Sequence, residues 1–318
     1  MLSSPRLFLI AFVLILCALA FDAWSAETSV IAPLASRSLL LDIQAVGTDT
    51  LVAVGERGHV LFSEDRGSSW NQVVVPTRAT LTGVFFTDRQ HGWAVGHDQV
   101  ILQTRDGGSN WKLVYENPEA ESPLLDVFFQ DNLHGFAVGA YGQFLETFDG
   151  GDSWEARWIS DDDFHLNQIL AVGEHLFIAA EAGLAYRSDD GGDTWLSLTP
   201  DYEGSFFGIL PLDEQSLLLF GLRGNLFRSD DAGESWAPIV TATEASLTAG
   251  LRLTDETLII GGMAGAILVS SDNGKSFELR QDPERRGFSG LAKTTDGRII
   301  AVGDFGVTGL QLQGNGTR

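Results

Sequence analysis

An all-β fold, a seven-bladed β-propeller of four-stranded blades, is predicted by three features of this chain: a cassette that recurs six times, a small-residue step that recurs seven times, and four short apolar runs in each interval. The cassette reads Ser/Thr-x-Asp-x-Gly-x-x-aromatic, and its closing aromatics Trp70, Trp111, Trp154, Trp195, Trp236 and Phe277 stand 41, 43, 41, 41 and 41 residues apart. Self-similarity at this period marks units that cannot bury an apolar face alone and must stack on their neighbours. No helical periodicity runs through the intervals.

The chain opens on Arg6, a 14-residue apolar run over 7–20, and small residues at Ala18, Ala20, Ser25 and Ala26. That is the pattern of a secretory signal peptide, expected over residues 1–26, with the propeller over 27–318 exported. Cys17, the only cysteine, lies inside this segment, and the bulky Leu16 before it argues against lipid attachment. Disulfides, cysteine zinc sites and cysteine nucleophiles are thereby excluded from the mature chain.

Residues 29–33 follow, and resemble the Val73-Val74-Val75-Pro76 stretch that precedes the second unit. They are expected to supply the outer strand of the last blade, closing the ring without an open edge. Each unit then carries its step: Ala53-Val54-Gly55, Ala94-Val95-Gly96, Ala137-Val138-Gly139, Ile178-Ala179-Ala180, Leu219-Phe220-Gly221, Ile260-Gly261-Gly262 and Ala301-Val302-Gly303. Within the second unit the runs 81–87, 92–96, 99–104 and 111–115 read as the four strands. The seventh unit has only three, at 287–294, 298–303 and 307–312.

In each cassette the aspartate (Asp65, Asp106, Asp149, Asp190, Asp231, Asp272) is expected to accept hydrogen bonds from its own turn, the glycine to allow positive φ, and the aromatic to bury between sheets. This is the Asp-box, or bacterial neuraminidase repeat; it speaks for architecture and not for chemistry. Acidic runs such as Asp161-Asp162-Asp163 lack the glycine and glutamate of a calcium loop, so no metal and no cofactor are expected.

Function in a propeller is expected on the face bearing the second-to-third-strand turns and the blade connections. There the chain offers Arg57, Arg78, Arg223, Arg285, Arg286 and Tyr202 as partner-binding candidates, beside Tyr141, Glu181 and Asp161 to His165. No paired acid and base, nucleophile elbow or phosphate loop accompanies them, so no catalytic residue is expected. The alternative is a glycan-binding or sialidase-type propeller, with Tyr202 or Tyr141 as nucleophile and an arginine triad. With 20 basic and 43 acidic residues, a net charge of −23, nucleic acid and anionic lipid are unsuited as partners.

Pro76-Thr77-Arg78-Ala79-Thr80-Leu81, then His91-Gly92-Trp93-Ala94-Val95-Gly96 and Thr104 to Trp111, resemble the photosystem II stability and assembly factor family of plants and cyanobacteria. The resemblance implies a seven-bladed propeller of the periplasm or thylakoid lumen, without catalysis. It implies a platform that assists a membrane or envelope protein, a photosystem subunit or transporter component, through an arginine-lined face. A monomer that does not itself enter the bilayer after signal cleavage is expected.

Overall fold

The computed structural model describes residues 27–254 and 256–312. The signal-peptide reading of residues 1–26 lies outside them. Seven antiparallel sheets are arranged in a ring, each strand paired with its sequence neighbour, as in Leu40–Val46, Thr50–Gly55, His59–Ser63 and Asn71–Val73 of the first blade.

The apolar matter is split into seven clusters, each between two neighbouring blades and not within one. Six of these hold one box aromatic apiece: Trp111 with Val54, Val84 and Leu102, for example, and Trp154 with Val95, Val127 and Phe129. The cluster between the sixth and seventh blades has Phe305 and Leu312 at its margin and no box residue.

The box itself is one hydrogen-bonded knot repeated six times. Ser63 Oγ donates to Asp65 Oδ1 (2.9 Å) and accepts from the Gly67 N–H (2.8 Å), while Asp65 accepts from the Ser69 N–H (2.8 Å) and hydroxyl (2.6 Å). Thr104, Thr147, Ser188, Ser229 and Ser270 repeat these contacts with Asp106, Asp149, Asp190, Asp231 and Asp272. The Ser69 hydroxyl, its N–H and then Ser63 hold the Asp65 carboxyl down at about 2.

The small-residue step has a steric cause. A Cβ on Gly55 would lie 2.2 Å from the Leu39 carbonyl oxygen of the preceding connection, and one on Gly96 2.1 Å from that of Thr80. The chain therefore needs glycine where each second strand meets the connection before it.

Closure departs from expectation. The seventh sheet has three strands among the described residues, ending with Gly306–Leu310. Residues 29–33 do not join it. The Ser29 N–H donates to Val75 O (2.8 Å), Ser29 Oγ accepts from the Val75 N–H (2.9 Å), and the Gln72 side chain bonds Val30 O and the Ala32 N–H. The segment thus lies along the outer strand of the first blade.

Counting back from Leu40 explains why. Ser36 O stands 2.2 Å from a Cβ built on Gly306, as Thr77 O stands 2.3 Å from one on Gly58. Val30 and Ile31 therefore arrive too early to pair with the last blade, and Pro33 has no N–H to give to a ladder. Their side chains and that of Leu34 are 62, 54 and 61 % exposed. The ring closes instead by packing of Ala35, Leu40, Ile43 and Leu51 against Ala292, Ile300 and Val302.

Deleting residues 27–33 should accordingly lower stability only by about 2–4 kcal/mol, the worth of a few hydrogen bonds. Denaturant melts should show a folded, monodisperse ring with a slightly lower midpoint; gross aggregation would show that the segment closes the ring after all.

Candidate functional site

Every inner strand begins with the same defect. A register shift after the first residue, at Leu40/Asp42, Leu81/Gly83, Leu124/Asp126, Leu166/Gln168, Phe206/Gly208, Leu247/Ala249 and Phe288/Gly290, leaves one residue unpaired. Such bulges re-aim side chains, and here they turn polar groups along the channel wall toward the next blade. Asp42 Oδ2 accepts from the Val84 N–H (2.8 Å), Asp126 Oδ2 from the Ile169 N–H (2.9 Å), and Gln168 Oε1 from the Ile209 N–H (2.7 Å). Thr82 Oγ1 donates to Leu124 O (2.7 Å) and Asn167 Nδ2 to Phe206 O (2.8 Å) in the opposite sense.

Asp42 and Asp126 lie on either side of Gly83, whose missing side chain leaves room for Asp126 Oδ1 at 3.3 Å from an ideal Cβ. Both residues are half-buried. Burial raises Asp42 to about 6, against two backbone N–H donors; burial and then repulsion from Asp42 raise Asp126 to about 8. Their oxygens are committed to backbone donors, which makes them cross-blade braces.

The candidate face carries the turns and connections together, because the two are tied: the Gly58 N–H donates to Ala79 O, Gly142 to Phe164 O and Gly183 to Gly204 O. Arg57, Asp98, Tyr141 and Arg223 occupy the left-handed residue of the turns in the first, second, third and fifth blades, at φ between 56° and 58°. A non-glycine residue there costs roughly 1 kcal/mol or more, so these side chains are held out from the face at some expense of backbone energy.

The connections show a second order that spacing alone did not announce. The residue three before each inner strand is exposed in all seven blades: Arg37, Arg78, Glu121, Asp163, Glu203, Glu244 and Arg285. Going around the ring, the three arginines occupy consecutive connections, from the sixth blade to the second, and the four acids occupy the rest. Arg57 of the first blade falls inside the arginine arc. Arg223 of the fifth blade falls inside the acidic one.

The predicted residues therefore separate. Arg57, Arg78 and Arg285 lie on the arginine arc; Arg78 is paired with Glu27 (3.1 Å) and Arg57 stands 4.0 Å from Glu56. Arg37, which was not among the predicted residues, joins them; Arg37 and Arg285 have no ion-pair partner among the described residues. Arg286 is half-buried, held by Asp282 (2.6 and 3.0 Å) and laid over the Phe305 ring at 5.2 Å, and so braces the connection. Tyr202 is packing, not surface: its ring meets Phe206 and Phe227, and its hydroxyl donates to Leu222 O (3.0 Å). Glu181 is taken up by His165, through ring nitrogen (3.2 Å) and backbone N–H (3.1 Å).

The family model of photosynthesis system II assembly factor YCF48 matches residues 63–119 and 114–257, more than half of the chain. A chloroplastic photosystem II stability/assembly factor HCF136 from Cyanidioschyzon merolae is 38% identical over 96 residues, 28% of this chain and 22% of that protein. The photosystem II assembly protein Ycf48 of Thermosynechococcus vestitus is 44% identical over 43 residues, 14% of this chain and 12% of its own length. The matched stretches thus span about a fifth or less of these curated relatives. Among solved structures, a YCF48 bound to a D1 peptide superposes with a TM-score of 0.70 at 18% identity, covering 88% of this chain and 94% of that one, which shows the shared fold.

Proposed function

We propose that this chain, which belongs to the family of the photosynthesis system II assembly factor YCF48, is a non-enzymatic binding platform that assists a membrane or envelope protein through its arginine arc. The observation that carries the reading is the grouping of Arg285, Arg37, Arg57 and Arg78 on adjacent blades of one face in a molecule of net charge −23. Guanidinium groups present a planar fork of donors suited to carboxylates and chain termini, and on an otherwise acidic surface they define where an anionic segment can land. A propeller of the same fold has been solved with a D1 peptide, so an extended segment of a photosystem subunit is the partner class favoured here.

Export belongs to the same proposal, with residues 1–26 as the leader and the ring working in the periplasm or thylakoid lumen as a monomer. Among the described residues no helix is long and apolar enough to cross a membrane. A glycosidase is not favoured: of the groups named for it, Tyr202 is engaged in packing and Glu181 in the His165 contact, which leaves Tyr141 alone.

The test is titration of the D1 peptide of the related complex into this protein and into a variant with Arg37, Arg57, Arg78 and Arg285 all changed to Glu. Like charges set against an anionic segment should weaken binding by at least about tenfold. Exposed substitutions of this kind each change stability by no more than about 0.5 kcal/mol, so the melting temperature should hold. Equal affinity in the two proteins sinks the arginine arc; no binding by the parent protein sinks the photosystem partner and turns the search to transporter components.

A further inference from the structure

The same face carries an aromatic step in its acidic half. Trp158 and Tyr141 are 69 and 54 % exposed, far more than packing of a ring this tight requires. The two belong together: Tyr141 is the left-handed residue of the third blade's turn, and a Cβ on its neighbour Gly142 would lie 3.5 Å from Trp158 Cζ3. His165 stands edge-on to Tyr141 at 4.9 Å and is itself fixed by Glu181. Neither the Trp158 indole N–H nor the Tyr141 hydroxyl has a hydrogen-bond partner among the described residues, so no interior role holds them.

Around this step the charge is of one sign. Asp161, Asp162 and Asp163 follow Trp158 on the same connection and are exposed, and Glu121 and Glu203 hold the neighbouring connections. The one nearby arginine, Arg157, is turned away: it pairs with the buried Glu146 and donates to the Asp193 carbonyl oxygen. Two aromatic faces with carboxylates at their edge favour a cation over any other visitor, since the ring quadrupole and the Coulomb field act in the same direction. Tyrosine and tryptophan are also the side chains that dominate protein interfaces once covered.

We infer that this sector of the third and fourth blades docks a basic polypeptide segment, with arginine or lysine side chains seated on Tyr141 and Trp158 and their charge met by the 161–163 carboxylates. The inference stands apart from the arginine arc and from the identity of its partner. A second copy of the chain is disfavoured by mutual repulsion at net charge −23. A neutral glycan would stack on the same rings without any dependence on salt.

The experiment uses the exported chain and two synthetic probes, an Arg-Gly-Ser repeat peptide and its Glu-Gly-Ser counterpart, followed by calorimetry and tryptophan fluorescence. The basic probe is expected to bind, to weaken as salt is raised, and to shift the emission of the exposed Trp158. The charge-neutral pair Tyr141→Ala with Trp158→Ala should lose roughly tenfold in affinity at an unchanged melting temperature, with Trp158→Phe retaining part of it. Arg37→Gln with Arg78→Gln should leave this binding as it was. Equal affinity in the double-alanine variant would reduce the effect to bulk charge and overturn the site. So would failure of the basic probe to bind, equal binding of the acidic probe, or affinity indifferent to salt.

Discussion

Replacing Trp111 with alanine is expected to cost about 3–5 kcal/mol of stability, the range for emptying a large aromatic site in a packed core. Trp111 is only 8 % exposed, meets Phe86 edge-on at 5.9 Å, and donates its indole N–H to Gly108 O (3.0 Å). It therefore joins a box knot to the core between the first and second blades, and its loss opens a cavity while stranding a carbonyl of the turn. At roughly 2–4 °C per kcal/mol for a domain of this size, the melting temperature should fall by about 10 °C. Trp70→Ala is the internal control. Trp70 occupies the same box position but is only half-buried, so its loss should cost visibly less. Equal losses at the two positions would mean that the boxes act as turns alone.

Stability should also fall as the pH rises from about 4 to 8, between the ordinary carboxyl pKa and the folded one, and Asp126→Asn should remove most of that fall. The folded Asp126 carboxyl titrates at about 8, far above its ordinary value, because it is enclosed in the channel wall and faces Asp42. A group raised on folding contributes its full stability below the unfolded pKa and loses it as the pH climbs through the folded one. Ionising Asp126 thus places two negative charges on either side of Gly83, with backbone N–H groups as their only counterweight. Asparagine keeps one acceptor oxygen, for either the Val127 or the Ile169 N–H, and cannot ionise; it gives up the other bond at all pH values alike and releases Asp42 from the repulsion. Thermal melts of both proteins across this window decide the matter: parallel curves would show that Asp126 is ionised throughout at no cost.

The ring was legible in the sequence because its repeat is enforced at points where no other residue fits. The box needs a hydroxyl, a carboxylate and a left-handed glycine in fixed register, and the step needs glycine against a carbonyl oxygen; blade 4 alone escapes, with Ala180. The closing segment misleads because its apolar residues precede Leu40 as Val73–Val75 precede Leu81, but across a connection two residues longer, and that difference carries them past the last blade onto the first. Counting three residues back from each inner strand would have found Arg37 and the division of the face into two arcs. Asp42 and Asp126 gave no such signal: in an alternating strand they look like ordinary outward polar residues, and only the bulge turns them along the wall. Tyr202 failed for the opposite reason, since a tyrosine in a connection reads as surface until Phe206 and Phe227 are seen around it.

Among the described residues the seventh blade has no fourth strand, and this gives the ring a clasp. Six blades are each bounded by an outer strand, but Gly306–Leu310 shows its outer edge, and around Gly309 the space is open. Continuity of the chain carries the load across every other blade boundary, whereas at this one the first and last blades meet through apolar contact, the short Ala35–Arg37 turn, the Thr295 hydroxyl on Thr48 O (2.8 Å) and the Arg66–Asp296 ion pair (3.6 Å). Tension or thermal agitation spread evenly over the circle is therefore relieved unevenly, at one boundary. That boundary lies inside the arginine arc, between Arg285 and Arg78. A segment lying across those arginines would bridge the gap from outside, so a bound partner and a shut ring favour one another, and occupancy of the face becomes a form of closure.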